Sequence, residues 1–137
     1  MVALAPGFAD VFRRRSLLIA DHEQALRSGL GSLFRQEGFE TYLAGDDSEA
    51  VRIVRHEQID VVILELELPH GGGLEVLRVI RRVTVSRPPI VLTAAEVSGR
   101  TRLEALAEDA FTVVPKPFDE ALMKRVVASA IRGAHLY

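Results

Sequence analysis

Three short, branched, wholly apolar runs constrain this chain more than any other feature: Leu17-Leu18-Ile19-Ala20, Val61-Val62-Ile63-Leu64 and Ile90-Val91-Leu92. Each has strand length, and none alternates with polar residues, so each suits a strand covered on both faces. Phe39 to Leu43 and Phe111 to Val114 read as two weaker strands. Helical spacing fills the gaps. Leu26, Leu30, Leu33 and Phe34 make one stripe; Ala50, Val51 and Val54 a second; Leu74, Leu77 and Ile80 a third. Leu103 and Leu106 make a fourth, and Leu122, Val126, Val127 and Ile131 a fifth. Asp47 and Asp119 stand at N-cap positions ahead of the second and fifth helices.

A strand followed by a helix, five times over, requires parallel strands with helical crossovers, and right-handed crossovers cover both sheet faces. The expected class is α/β, with a doubly wound five-stranded parallel sheet of order 2-1-3-4-5 between two helical layers. In such sheets the functional site lies at the carboxyl ends of the strands, near the switch point between strands one and three. That rule selects Asp21 to Glu23 after the first strand, Glu65 to Glu67 after the third, Thr93 after the fourth and Lys116 after the fifth. Two carboxylates, a hydroxyl and an ammonium should therefore meet in one crevice.

The bulk composition agrees with a single domain. The 137 residues are 48% hydrophobic and 6% aromatic, a mix suited to helices on an aliphatic sheet. The net charge of −2 supplies no field for nucleic acid or an anionic membrane, so neither is an expected partner. There is no cysteine, which excludes disulfides and thiolate metal sites. No apolar run approaches the roughly 20 residues of a membrane span. Met1 to Asp10 lacks a basic start before an apolar core, so a signal peptide is not expected and the cytoplasm is. Residues 1–15, with Pro6, Gly7 and the basic run Arg13-Arg14-Arg15, read as an N-terminal tail; 16–132 is the domain and 133–137 a C-terminal tail. Only six residues follow Ile131 in this sequence, too few for an output domain.

At this point the chain resembles the response-regulator receiver family, CheY-like in sequence and flavodoxin-like in fold, across about Ser16 to Ile131. LLIADHEQALRSGL is similar to the family's first strand and helix. DVVILELELPHGGGLEVLRVIR is similar to the phospho-acceptor strand, the proline after it, the turn glycine and the third helix. PPIVLTAA is similar to the switch-threonine strand and VVPKPFD to the lysine-proline motif. The resemblance implies that Asp21 matches the first metal-binding acid and Glu65 occupies the phospho-acceptor position. Glu67 matches the residue whose backbone carbonyl completes the Mg²⁺ shell. Thr93 matches the hydroxyl that contacts the phosphoryl group, Lys116 the ammonium that neutralises it, Pro117 the following proline (commonly cis) and Gly73 the turn glycine.

Three positions depart from the family pattern. His22 stands where the second acid belongs, Glu65 replaces the acceptor aspartate, and Val113 lies where an aromatic switch residue usually sits, with Phe111 two positions earlier on the same side of a strand. Glutamate carries its carboxylate one C–C bond farther out, and a misplacement of about 1 Å can cost ~100-fold in rate. Mg²⁺ demands hard oxygen ligands in strict geometry, so a set of Asp21, Glu65 and Glu67 without a second acid is expected to bind it weakly or not at all. No cofactor is expected. The longer Glu65 side chain is placed to reach Thr93 or Lys116. His22 has two readings: a protonated ring that supplies the missing positive charge, or a ring that points to solvent.

Other signals have plain readings. His70-Gly71-Gly72-Gly73 is a turn before the third helix, since no Gly-x-Ser-x-Gly elbow accompanies it. There is no Walker or dinucleotide glycine motif. Histidines 22, 56, 70 and 135 lack zinc-site spacing. Arg78, Arg81 and Arg82 read as the solvated face of the third helix. The expected function is a binding module, not an enzyme: an atypical receiver (pseudo-receiver) of two-component phosphorelay signalling that works through protein contacts without phosphorylation. Its expected partners are a histidine kinase or an output protein. The expected contact surface, for them or for a homodimer, is the fourth helix, fifth strand and fifth helix: Ser98 to Glu108, Phe111 to Val114 and Asp119 to Ile131. Two alternatives stay open. One is a conventional receiver with residual Mg²⁺-dependent phosphorylation. The other is a small doubly wound enzyme or cofactor binder, which would need a phosphate-cradling loop.

Overall fold

A computed structural model describes residues 14–134, so most of the two expected tails lies outside the described residues. The elements alternate as expected: β1 (Ser16–Ala20), α1 (Gln24–Gln36), β2 (Glu40–Ala44), α2 (Asp47–His56), β3 (Val61–Glu65), α3 (Gly72–Val83), β4 (Ile90–Ala94), α4 (Gly99–Ala107), β5 (Thr112–Pro115) and α5 (Glu120–Ala134). The two weaker strands each begin one residue later than their apolar runs suggested, and α5 continues two residues beyond the expected domain end. The five strands are all parallel in the order β2-β1-β3-β4-β5. Among the described residues no helix is long and apolar enough to cross a membrane.

Side chains alternate between two cores, one on each face of the sheet. Leu18, Ala20, Val62, Leu64, Leu92 and Val113 meet Ala50 and Val54 of α2, Val76, Leu77 and Ile80 of α3 and Ala105 of α4. Leu17, Ile19, Val61, Ile63, Val91 and Val114 meet Leu30 and Phe34 of α1 and Met123, Val127 and Ala130 of α5. β1, β3 and β4 are buried along their whole length, which explains their unbroken apolar runs. Each fully buried aliphatic side chain contributes about 1.5–3 kcal/mol relative to exposure.

Three local expectations are corrected. Asp46, not Asp47, caps α2: its side chain accepts from the Glu49 N–H at 2.9 Å, and Asp47 is the first helical residue. Adjacent aspartates are indistinguishable by propensity, and only the backbone path decides which one is extended. Asp119 does cap α5, accepting from the Leu122 N–H at 2.6 Å. Leu103 and Leu106 do not face the core; they are 69% and 74% exposed, and Ala105 is the buried residue of α4. Arg81 is not solvated. It is half-buried and donates to the carbonyls of Pro88 (2.8 Å) and Asp109 (2.9 Å), pinning α3 to the loops before β4 and β5. Arg78 and Arg82 are exposed, as expected.

Phe111 precedes β5 and donates its N–H to the carbonyl of Ile90, the first residue of β4. It therefore sits at the sheet end opposite the strand termini that carry the acids, and the residue is 43% exposed. Val113 is buried in the core beside α4. Neither residue places an aromatic ring next to Thr93.

Gly73 is required by a close approach. It is buried in the first turn of α3, and its N–H donates to Leu66 O at 2.9 Å. A Cβ here would overlap the carbonyl of Glu65 and the backbone of Leu66. Gly73→Ala is expected to destabilise the fold by about 1–3 kcal/mol, as overpacking against rigid backbone does. Denaturant unfolding checks this, and an unchanged midpoint would refute the close approach.

Candidate functional site

Strand alternation brings the candidate residues together. Asp21, Glu65, Thr93 and Lys116 each lie two residues beyond a member of the α1/α5-facing core: Ile19, Ile63, Val91 and Val114. A two-residue period returns a side chain to the same face, so all four project into one crevice at the carboxyl end of the sheet. Register reinforces this, since Glu65 pairs with Thr93, and Thr93 with Val114.

The crevice is a cluster of charges. Lys116 Nζ lies 2.9 Å from Asp21 Oδ2, 2.9 Å from Glu65 Oε1 and 3.1 Å from Glu23 Oε1. The His22 backbone N–H donates to Glu65 Oε2 at 2.8 Å. The ring of His22 also faces Glu65, with Nδ1 2.7 Å and 2.8 Å from its two carboxylate oxygens. The reading of His22 as solvent-directed is therefore corrected: its ring is anchored, although half of it stays exposed. Asp21 is fixed by the Glu23 N–H, which donates to Oδ1 at 2.8 Å, and its own carbonyl accepts from Arg27 at 2.7 Å. Glu23 had no assigned role in the sequence reading. It supplies a third carboxylate to Lys116, for which its place beside Asp21-His22 was the only signal.

Thr93 stands apart. Glu65 reaches Lys116 but not Thr93, whose buried hydroxyl has no hydrogen-bond partner. Glu67 turns its side chain away from the cluster, accepting from the Ala95 N–H at 2.9 Å. Pro117 follows Lys116 across a cis peptide bond. Outside the crevice, Asp47 holds the turn before α3. One of its oxygens lies 3.0 Å from His70 Nδ1 and the other accepts from the Gly71 N–H at 3.1 Å. Those contacts, His70 first, keep the Asp47 carboxyl below its ordinary range.

Environment pushes the two buried carboxylates apart. Burial raises Asp21 above the ordinary aspartate range, and the hydrogen bonds from Lys116 and the Glu23 N–H only partly offset it. Burial also acts to raise Glu65, but the His22 N–H, the His22 ring and Lys116 together outweigh it, so Glu65 is lowered and ionised. Burial acts to lower Lys116, and its three carboxylate partners reverse that and raise it. The hydrogen bond to Glu65 raises His22 above 6.5. A raised histidine stabilises the fold most below its unfolded pKa, and that contribution is lost as pH rises through the folded value. NMR titration of the ring is expected to place His22 above 6.5 in the native chain and lower it in Glu65→Gln. A native value at or below 6.5 would contradict the anchored ring.

The family's Mg²⁺ does not fit this donor set. Asp21, His22, Glu23 and Glu65 do place ligand atoms within 4.8 Å of one another. One of those atoms is an imidazole nitrogen, whereas Mg²⁺ selects hard oxygen. Lys116 Nζ, about 3 Å from all three carboxylates, already pairs with each of them.

Comparison with known proteins fits this geometry. Residues 17–128 match the response regulator receiver domain family. The chain is 37% identical over 125 residues to the DNA-binding response regulator MtrA of Mycolicibacterium smegmatis, covering 90% of this chain and 54% of that protein. It is 32% identical over 116 residues to the regulatory protein AtoC of Escherichia coli K12, covering 85% of this chain and 25% of that one. The chain thus spans about half, or less, of these curated relatives. Among solved structures, a CheY-like receiver domain protein from Methanospirillum hungatei superposes with a TM-score of 0.84 at 16% identity, covering 89% of this chain and 97% of that one. A two-component response regulator from Clostridium difficile gives 0.83 at 24% identity, covering 89% and 99%. These two likenesses carry the fold. The family match carries the conclusion that the chain belongs to the response-regulator receiver family, the receiver domain of two-component signalling.

Proposed function

We propose that this receiver works as a cytoplasmic, protein-binding signalling module whose site is set by its own charges, without phosphorylation at Glu65. One observation carries the reading: the Glu65 carboxylate is already held within the chain, by the Lys116 ammonium and by the ring and backbone N–H of His22. A phosphoryl group would bring nearly two charges and three acceptor oxygens. Glu65 brings one charge and leaves the Thr93 hydroxyl unpartnered, so it does not stand in for a phosphorylated acceptor. The crevice then keeps the unphosphorylated setting of the switch, and neither Val113 nor Phe111 sets an aromatic ring beside Thr93 to report a change.

The partner on this reading is a histidine kinase or an output protein, or a second copy of the chain, engaged through α4, β5 and α5. The exposed Leu103 and Leu106 on α4 support that face, since paired large apolar side chains at a surface favour association. Acetyl phosphate with Mg²⁺, followed by intact mass measurement with and without hydroxylamine, tests the central point. No hydroxylamine-sensitive adduct is expected. A stoichiometric one would favour a conventional receiver and overturn the proposal.

A further inference from the structure

We propose that His22 is itself a phosphoryl acceptor, through Nε2, for donors with a phosphorus–nitrogen bond; this rests on the reading that Glu65 is not the acceptor. The geometry is that of a carboxylate-backed nucleophile. Nδ1 lies within 2.8 Å of both oxygens of Glu65. That carboxylate is 1% exposed, and Lys116 and the His22 backbone N–H hold it in place. The ring is therefore fixed with Nδ1 inward, and the outward edge carrying Nε2 accounts for the 48% exposure of the side chain. With its proton on Nδ1, the neutral ring presents the Nε2 lone pair to solvent.

Attack by Nε2 forms a new P–N bond while the donor's P–N bond breaks. With phosphoramidate as donor, its protonated amine departs as NH₃ with the bonding electron pair. The ring keeps its Nδ1 proton and becomes positively charged. That charge develops directly against Glu65, in a buried setting where a preorganised carboxylate acts most strongly. A phosphohistidine of another protein has the same donor chemistry.

A second pair provides an internal comparison. His70 Nδ1 lies 3.0 Å from Asp47, but that acid side chain is 23% exposed, the His70 side chain is 70% exposed, and no ammonium pairs with the acid among the described residues. His22 should therefore react first.

The test incubates the full chain with phosphoramidate at mildly alkaline pH and follows intact mass. The expected result is one phosphoryl adduct, stable to alkali and lost in mild acid. His22→Gln should abolish it, His70→Gln should leave it intact, and Glu65→Gln should slow it about tenfold or more. No adduct on the native chain, or one that survives in His22→Gln, would overturn the inference. An alkali-labile adduct that survives in His22→Gln would instead be an acyl phosphate and would overturn the reading of Glu65, so the two failures are distinguishable.

Discussion

Replacing His22 and Glu65 together by aspartate is expected to raise Mg²⁺-dependent acyl-phosphate formation from acetyl phosphate by at least about 100-fold. The two substitutions act on different parts of one reaction. Phosphoryl transfer depends on placing the nucleophile in line and on neutralising charge at the transferred group. On the proposed reading Glu65 misses the first requirement, because its side chain is one methylene longer than aspartate and its carboxylate is held by His22 and Lys116. On the same reading His22 misses the second, because it offers a nitrogen where Mg²⁺ selects oxygen. Shortening residue 65 frees Lys116 from one partner, and an acid at residue 22 supplies the missing hard ligand. Thr93 and Lys116 are already in place, one with a free hydroxyl and the other an ammonium at the cluster. Each single variant should gain much less than the pair, since groups acting as a unit are not additive. The rate of hydroxylamine-sensitive adduct formation is the measurement. A double variant as inert as the native chain would show that the block lies elsewhere in the fold.

Lys116→Met is expected to cost about 3–5 kcal/mol of stability near neutral pH, the range for a buried ionic group stripped of its partner. Lys116 bridges Asp21 and Glu65, which are 3% and 1% exposed, and without it the two carboxylates face each other with only His22 between them. The dependence on pH identifies the cause. In the native chain Glu65 is lowered, so its stabilising contribution is present above the ordinary carboxylate pKa and is lost as pH falls through the folded value. In the variant the buried carboxylates are raised, and protonation relieves their repulsion, so the variant recovers as pH falls. The two stability curves should therefore converge at about pH 4–5. Denaturant unfolding of both proteins across that range decides it, and a deficit that stays constant would mean that lost packing, not charge, is responsible.

The sequence made much of this architecture legible, for identifiable reasons. β1, β3 and β4 announced themselves because a strand buried on both faces has no room for polar alternation, and their carboxyl ends named Asp21, Glu65, Thr93 and Lys116. The family resemblance added His22 and Glu65 as departures. The failures also have causes. Leu103 and Leu106 follow helical spacing yet face outward, because a short α4 packs on the sheet through Ala105 alone. Arg81 looked like its exposed neighbours Arg78 and Arg82, and nothing local reveals that two backbone carbonyls wait beside it. Glu23 shares a turn with Asp21, but its use as a partner depends on Lys116, 93 residues away.

What the sequence alone determined is which chemical groups this chain can bring to the ends of its strands, because periodicity sets each side chain's face and strand order follows from handed crossovers. What only the tertiary structure decided is how those groups pair. A carboxylate can satisfy several partners at similar energies, and sub-ångström distances among residues from four strands select one arrangement. Here Glu65 goes to His22 and Lys116 and leaves Thr93 without a partner. A change of one methylene at residue 65 is visible in the sequence; its effect, a site closed on its own charges, exists only once β1, β3, β4 and β5 are assembled.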